Sequence, residues 1–309
     1  MSAYLQELTI RLASGLEQVD PLIRKNHSDY LLRAQQPDGG FAGRQGGSDL
    51  YYTTFGMRGL SVLGDLYGAP AELAAKFLTS QLARQQSIVD FFSLFYAANL
   101  LTASAGIDIF ESADSGWQDR VAGFLETLRR DDGGYAKAAE GVAGSTYHTF
   151  LVLLVYELLN REIPKPTQIV DFLDSQRADG GGWREIRASK RAGTNPTAAA
   201  AATLKILGRM DRVDREPTLD FLCEMQTDEG GLRANTRIPI ADLLSSFTGG
   251  LTLIDLNAFN EIDLDALRRF VQSLQLPTGG FRAADWDEAH DVEYTFYGLG
   301  CTALLNQAE

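Results

Sequence analysis

The chain has 309 residues, 45% apolar and 22% charged, an ordinary globular composition. A chain of this length buries about three quarters of its unfolded surface and needs no staples. The formal net charge of −13 and pI of about 4.7 disfavour nucleic acid and anionic membrane as partners.

The N-terminal stretch MSAYLQELTIRLASGLEQVD lacks a basic start followed by an apolar core, so no secretory leader is read there. No apolar run is expected to be long enough for a transmembrane segment. The two cysteines, Cys223 and Cys301, lie in apolar stretches and are expected as buried, reduced thiols. A cytoplasmic protein is the expectation.

Gly-Gly pairs punctuate the chain in QQPDGGF, RRDDGGY, QRADGGGW, QTDEGGL and QLPTGGF. An aromatic residue stands nine positions before each pair: Tyr30, Phe124, Phe172, Phe221 and Phe270. Phe77 falls midway between the first two of these. That gives six units spaced 47, 47, 48, 49 and 49 residues, of which the second has lost its glycines.

Each unit reads alike. An amphipathic segment comes first, as in TQIVDFLDSQR, where Ile169, Val170, Phe172 and Leu173 form the apolar stripe. The Gly-Gly turn stops it. After a loop, a second segment begins at a capping residue: Asp49, Asp90, Thr146, Asn195, Asp242 or Asp291. This second segment is apolar almost all round, as in YYTTFGMRGLSVL or YHTFLVLLVYELL, and a helix apolar on every face is buried on every face. The pattern predicts an all-α protein. Six helical hairpins form one α/α barrel (toroid) over residues 1–309, with an inner ring of buried helices and an outer ring of amphipathic ones. Closure removes the two apolar ends that an open solenoid would expose.

Inner-helix positions collect large aromatics opposite small residues such as Ala198–Ala202. A ring of six helices is too wide to fill at its axis without many large side chains. A central apolar cavity lined by Tyr51, Tyr52, Phe55, Phe92, Phe95, Tyr147, Phe247 and Tyr297 is therefore expected, suited to a small apolar ligand. His148 lies within the third buried segment, as a core histidine or as a donor to a ligand. The last loop carries Asp285, Asp287, Glu288, His290, Asp291 and Glu293. Such oxygen-rich clusters suit Mg²⁺, and Asp285, Asp287 and Asp291 are the candidate ligands. The alternative is a solvated acidic loop with Asp291 as helix cap.

From about Tyr30 to Gln307 the repeat resembles the prenyltransferase and terpenoid-cyclase repeat. The segments QTDEGGLRANTRIPIADLLSSFTGGLTLI and QLPTGGFRAADWDEAHDVEYTFYGLGCTALL are most similar to the last two repeats of the protein prenyltransferase β subunit, the Rab geranylgeranyltransferase type in particular. The resemblance implies a central cavity for an isoprenoid (geranylgeranyl or farnesyl) diphosphate and transfer of the prenyl group to an acceptor thiol held on zinc. It also implies a helical α-subunit-like partner, beside which a homodimer stays open.

The family's zinc ligands are an Asp, a Cys two residues later, and a His. They fall here on Asp242, Leu244 and Tyr294, so zinc is not expected. The family's diphosphate-binding cations fall near Thr194 and at Thr236 and Pro239, but Arg184, Arg187, Lys190, Arg191, Arg233 and Arg237 stand close by in adjacent loops. A solvated basic loop is the other reading of these six.

Asp291-Val292-Glu293-Tyr294-Thr295 also resembles the Asp-x-Asp-Asp-Thr acid motif of class II terpene cyclases, with Glu293 at the proton donor. The candidate catalytic residues are thus Asp242, Tyr294, His148 and Glu293. Three functions remain open: a prenyltransferase-like isoprenoid-diphosphate binder, a non-catalytic isoprenoid-binding or scaffold barrel, and a small class II-like cyclase.

Overall fold

The computed structural model describes residues 3–82 and 87–307; the turn of the second repeat, where the glycines are missing, lies outside the described residues. Among them are thirteen α-helices and one short antiparallel pair, Phe41–Ala42 with Ser48–Asp49. Helix α1 (Ala3–Leu16) precedes the repeats. Six hairpins come after it: α2 (Pro21–Ala34) and α3 (Leu50–Leu63); α4 (Gly68–Gln81) and α5 (Ile88–Ala105); α6 (Trp117–Thr127) and α7 (Thr146–Leu158); α8 (Pro166–Ser175) and α9 (Thr194–Ile206); α10 (Arg215–Glu224) and α11 (Leu243–Asp255); α12 (Leu264–Leu274) and α13 (Val292–Asn306).

The chain packs as two compact units, one of residues up to Trp117 with Val271–Gln307, the other of Gln118–Phe270. In the first, α3 packs against α5, α13 and α1, and α1 against α13. The first and sixth repeats are therefore neighbours. In the second, α9 packs against both α7 and α11. The second helix of each hairpin supplies most of the core: Phe55, Met57 and Leu60 on α3, Leu151–Tyr156 on α7, and Phe296, Leu299 and Leu304 on α13 are buried.

The spacing of nine between aromatic and Gly-Gly has a structural cause. A Cβ on the first glycine, at Gly39, Gly133, Gly181, Gly230 or Gly279, would come within 2.0–2.4 Å of a carbonyl oxygen near the start of the next repeat's first helix, on Leu73, Gln168, Pro217, Ala266 or Asn26. The second glycine lies against the ring of that same helix's aromatic: Gly40 on Phe77, Gly134 on Phe172, Gly182 on Phe221, Gly231 on Phe270, Gly280 on Tyr30. Each of these five turns thus seats the following repeat, and the last of them seats the first repeat. The backbone N–H just after each pair donates to a buried hydroxyl on the second helix: Phe41 to Thr53, Tyr135 to Thr149, Trp183 to Thr197, Leu232 to Ser246, Phe281 to Thr295, at 2.9–3.2 Å. These bonds satisfy donors that have no access to water.

Three of the expected caps hold. Asp49, Asp242 and Asp291 accept from the amides of Tyr52, Ser245 and Tyr294. The other three are displaced. Ser87 caps α5 in a reciprocal box with Asp90, Ser145 caps α7, and α9 starts after Gly193, where Thr194 turns its hydroxyl to the Arg233 carbonyl instead.

Two further expectations are corrected. Helix α5 has the length and composition to cross a membrane; half of it is buried against its own unit, with Leu94, Phe95, Leu100 and Leu101 in the core, and packing on α3 and α4 accounts for its apolar character. Cys301 is buried, but Cys223 is only half-buried.

Candidate functional site

Polar side chains gather in two places, one within each unit. In the second unit, the loops before α9 and α11 are anchored by their ends. Trp183 is fully buried and donates from Nε1 to the Leu173 carbonyl, while the Gly193 amide donates to Trp183 O. The Thr194 amide donates to Ala234 O at 2.9 Å, joining the two loops. Between them lies a cleft of about 690 Å³ lined by Lys190, Arg191, Arg237, Glu185, Asn195 and Asn235 among others.

Three of the six predicted cations therefore line one cleft. Arg191 is set by a 2.9 Å bond from Nη1 to Thr236 Oγ1 across the loops. Among the described residues no carboxylate pairs with Lys190, Arg191 or Arg237. Two others serve the fold: Arg184 bonds the carbonyls of Gln176 and Arg177, and Arg233 bonds the Glu224 carbonyl at 3.1 Å. Arg187 is exposed and does not line the cleft. Burial raises the Glu185 carboxyl against the lowering effect of bonds from Ser145 Oγ and the Tyr147 amide.

On α7, next in sequence to Tyr147, His148 has a buried Nδ1 without a hydrogen-bond partner among the described residues. Burial, helped by Lys137, lowers its pKa to about 4, so it is neutral near pH 7. Both oxygens of Asp242 are engaged by Ser245, through its amide at 2.7 Å and its hydroxyl at 2.9 Å. Burial raises this carboxyl. Leu244 offers no donor atom, and Asp242 is already committed as a cap, so this set does not fit a tetrahedral zinc site.

In the first unit, Arg44 from the loop before α3 reaches the loop before α13. Its Nη1 lies 2.6 Å from Asp287 Oδ2 and its Nε 2.9 Å from Asp291 Oδ2. It also stands over the Tyr294 ring at 5.5 Å. Asp285 is apart from this pair and faces Arg282 at 3.6 Å. The Mg²⁺ set of Asp285, Asp287 and Asp291 is thereby corrected: among the described residues no three such side chains are grouped to hold a metal, because the guanidinium occupies two of them.

Beside this pair Glu293 is buried, with 9% of its surface exposed, and accepts a 2.6 Å bond from Tyr51 OH. Burial raises its pKa to about 7 against the lowering effect of the Tyr51 bond. Tyr51, Phe55 and Tyr297 pack edge to face, with centroids 5.0 Å and 5.3 Å apart. Arg58 lies over Phe296 at 3.8 Å, with a buried Nε that has no hydrogen-bond partner among the described residues.

Of the aromatics expected to line a cavity, Phe55, Phe95, Phe247 and Tyr297 are buried, Tyr51, Tyr52 and Phe92 are half-buried, and Tyr147 is 38% exposed. Phe95 is absorbed in packing, stacked on Trp117 at 5.5 Å. Sequence reasoning passed over Arg44 and Arg58. The signal for Arg58 was a lone cation within the otherwise apolar YYTTFGMRGL; for Arg44 it was a cation in the loop that follows a Gly-Gly turn.

A model of the prenyltransferase alpha-alpha toroid domain matches residues 9–90 and 146–309. No curated protein matches the chain in sequence. Among solved structures, Candida albicans protein geranylgeranyltransferase-I complexed with GGPP is similar at 16% identity and TM-score 0.73, over 93% of this chain and 92% of that one. A variant of type II terpene cyclase MstE from Scytonema, in complex with geranylgeranyl dihydroxybenzoate, is similar at 16% identity and TM-score 0.62, over 98% and 99%. An inactive alpha-1,6-mannanase variant of Salegentibacter is similar at 12% identity and TM-score 0.60, over 93% and 99%. At such identities the likeness is one of fold, and these proteins carry different chemistries on it.

Proposed function

The chain belongs to the prenyltransferase alpha-alpha toroid family and has its all-α fold, and from that premise we propose that it binds an isoprenoid diphosphate. In this reading residues 1–309 act as one barrel domain. The observation that carries it is the cleft between the loops before α9 and α11, where Lys190, Arg191 and Arg237 stand without carboxylate partners among the described residues. Three cations in a partly walled space suit a diphosphate through charge-assisted hydrogen bonds. The solved relatives support the isoprenoid part, since one holds GGPP and another a geranylgeranyl compound.

If the prenyl group is transferred, these cations hold the departing diphosphate. No step runs through zinc, since the donor set does not fit it. A helical partner subunit or a homodimer, and a cytoplasmic location, belong to the same proposal.

A second reading is favoured by one observation. Glu293 is a buried carboxyl held by Tyr51 in an aromatic setting, with its proton kept up to about pH 7. Such an acid suits protonation of an isoprenoid alkene and hence cyclisation. Calorimetric titration with geranylgeranyl diphosphate, with and without Mg²⁺, tests the first reading: micromolar or tighter binding is expected, and no heat from folded protein overturns it. The second predicts product from a prenyl substrate without an acceptor, abolished by Glu293→Gln; product that persists in that variant ends it.

A further inference from the structure

The exposed apolar side chains of the second unit are not scattered at random. Val142 is 96% exposed, and Ile186 and Ile238 are 38% exposed. They stand in three successive loops, those preceding α7, α9 and α11. Each loop joins the end of a hairpin's first helix to the start of its second, so all three belong to one end of the unit. Hydrogen bonds tie them edge to edge: the Thr146 amide donates to Glu185 O, and the Thr194 amide to Ala234 O, both at 2.9 Å.

Exposed cations accompany these tips. Lys137, Arg187, Lys190, Arg191 and Arg237 all face solvent, with Arg187 next to Ile186 and Arg237 next to Ile238. Over residues 183–193 and 232–241 there are six basic residues and one acidic residue, Glu185, in a chain whose net charge is −13. Net charge is a poor guide here. The screening length is about 8 Å at physiological ionic strength, so a surface docking on this end meets its local charges, which are mainly basic around Ile186 and Ile238 and comprise Lys137 and Glu140 near Val142.

We infer that this end of the second unit docks on anionic lipid bilayers, with Val142, Ile186 and Ile238 entering the interface and the flanking lysines and arginines facing lipid phosphates and carboxylates. Apolar tips that penetrate the headgroup boundary, supported by cations, are how peripheral proteins hold such surfaces. A protein partner fits less well, because stable protein interfaces have a contiguous apolar centre with charge kept to the rim, whereas the three tips here stand in separate loops and two of them, Ile186 and Ile238, adjoin an exposed arginine. Lys190, Arg191 and Arg237 are shared with the ligand reading, whereas the apolar tips are not. None of the three tips lines the cleft.

The test is co-sedimentation of the full chain with phosphatidylcholine vesicles, with and without phosphatidylserine, at low and high salt. Partitioning to phosphatidylserine vesicles is expected to exceed that to phosphatidylcholine by roughly tenfold at low salt and to fall at high salt. The combined variant Val142→Gln, Ile186→Gln, Ile238→Gln, which adds no charge near the cleft, should lose roughly tenfold in partitioning, with its circular dichroism and its diphosphate titration unchanged. The single variant Val142→Trp, at a site with almost no packing to disturb, should bind more tightly and show a blue-shifted emission on vesicles. Absence of binding to phosphatidylserine vesicles, or a combined variant that binds like the parent while folded, overturns the inference.

Discussion

Tyr51 on α3 and Glu293 on α13 share a 2.6 Å hydrogen bond that joins the first repeat to the sixth. Glu293 is buried, and the pKa of its carboxyl rises from 4.5 to about 7, chiefly through lost hydration. Between those pH values the folded protein keeps a proton that the unfolded chain releases. Its contribution to stability is therefore full below pH 4.5 and is lost as pH rises through 7. Glu293→Gln should stabilise the protein at pH 8 by about 1–3 kcal/mol and have little effect at pH 4.5, read from urea denaturation at the two pH values. Tyr51→Phe should move the Glu293 titration upward, since that bond favours the charged form. A Glu293→Gln variant no more stable than the parent at pH 8 would count against this.

His27 slopes the other way. Its ring is buried, stacked on Phe281 at 4.9 Å, and its Nδ1 accepts from the Gly280 amide at 3.0 Å. Burial lowers its pKa from 6.5 to about 4. The unfolded chain therefore binds the proton first on acidification, so this stabilisation is complete above pH 6.5 and drains as pH falls through 4. It amounts to at most about 3 kcal/mol. His27→Gln keeps an acceptor for Gly280 and removes the titration. Its denaturation midpoint should change less between pH 7 and pH 5 than that of the parent, and equal slopes would reject the assignment.

The Gly-Gly turns differ sharply from other glycines with the same backbone angle. Gly181 has φ +81°, and an added Cβ would meet the Pro217 carbonyl oxygen at 2.0 Å. Gly46 has φ +89° and nothing within 4 Å. Gly46→Ala bears only the left-handed strain and should cost about 1 kcal/mol. Gly181→Ala also drives two backbones apart and should cost more than about 3 kcal/mol or prevent folding. Thermal melts of the pair decide it, and equal losses would mean that turn strain alone explains the motif.

The repeat was legible because its signals are local. Gly-Gly pairs, the aromatic nine residues earlier and the apolar second helices all recur at fixed spacing, and together they specify six hairpins. The partners of those signals were not legible. Nothing in one repeat says that Gly182 waits for Phe221 of the next, or that Thr197 takes the Trp183 amide. Caps at Asp90, Thr146 and Asn195 were misplaced because Ser87, Ser145 and Gly193 compete for the same helix starts, and local sequence does not rank them. At the sites, composition supplied the six basic residues but not their division of labour. Arg184 and Lys190 look equivalent on paper; only the fold turns one onto backbone carbonyls and leaves the other on the cleft. Likewise the acidic run at 285–293 suggested a metal, because Arg44 approaches it from a loop more than 240 residues away in sequence.

That division of labour among the arginines is itself testable. Lys190, Arg191 and Arg237 line the cleft without carboxylate partners among the described residues, so replacing Lys190 or Arg237 with Ala should leave the fold intact and weaken binding of geranylgeranyl diphosphate roughly tenfold each. Arg184 should behave in the opposite way. Its guanidinium bonds the Gln176 and Arg177 carbonyls, so Arg184→Ala should cost about 1–2 kcal/mol of stability and change affinity little. Raising salt should weaken binding by the parent more than by the Lys190→Ala variant, because the variant has one fewer screened charge on the ligand. Calorimetry and melting curves on the same three proteins separate the roles. An Arg184→Ala protein that loses affinity at unchanged stability, beside cleft variants that bind like the parent, would move the diphosphate away from this cleft.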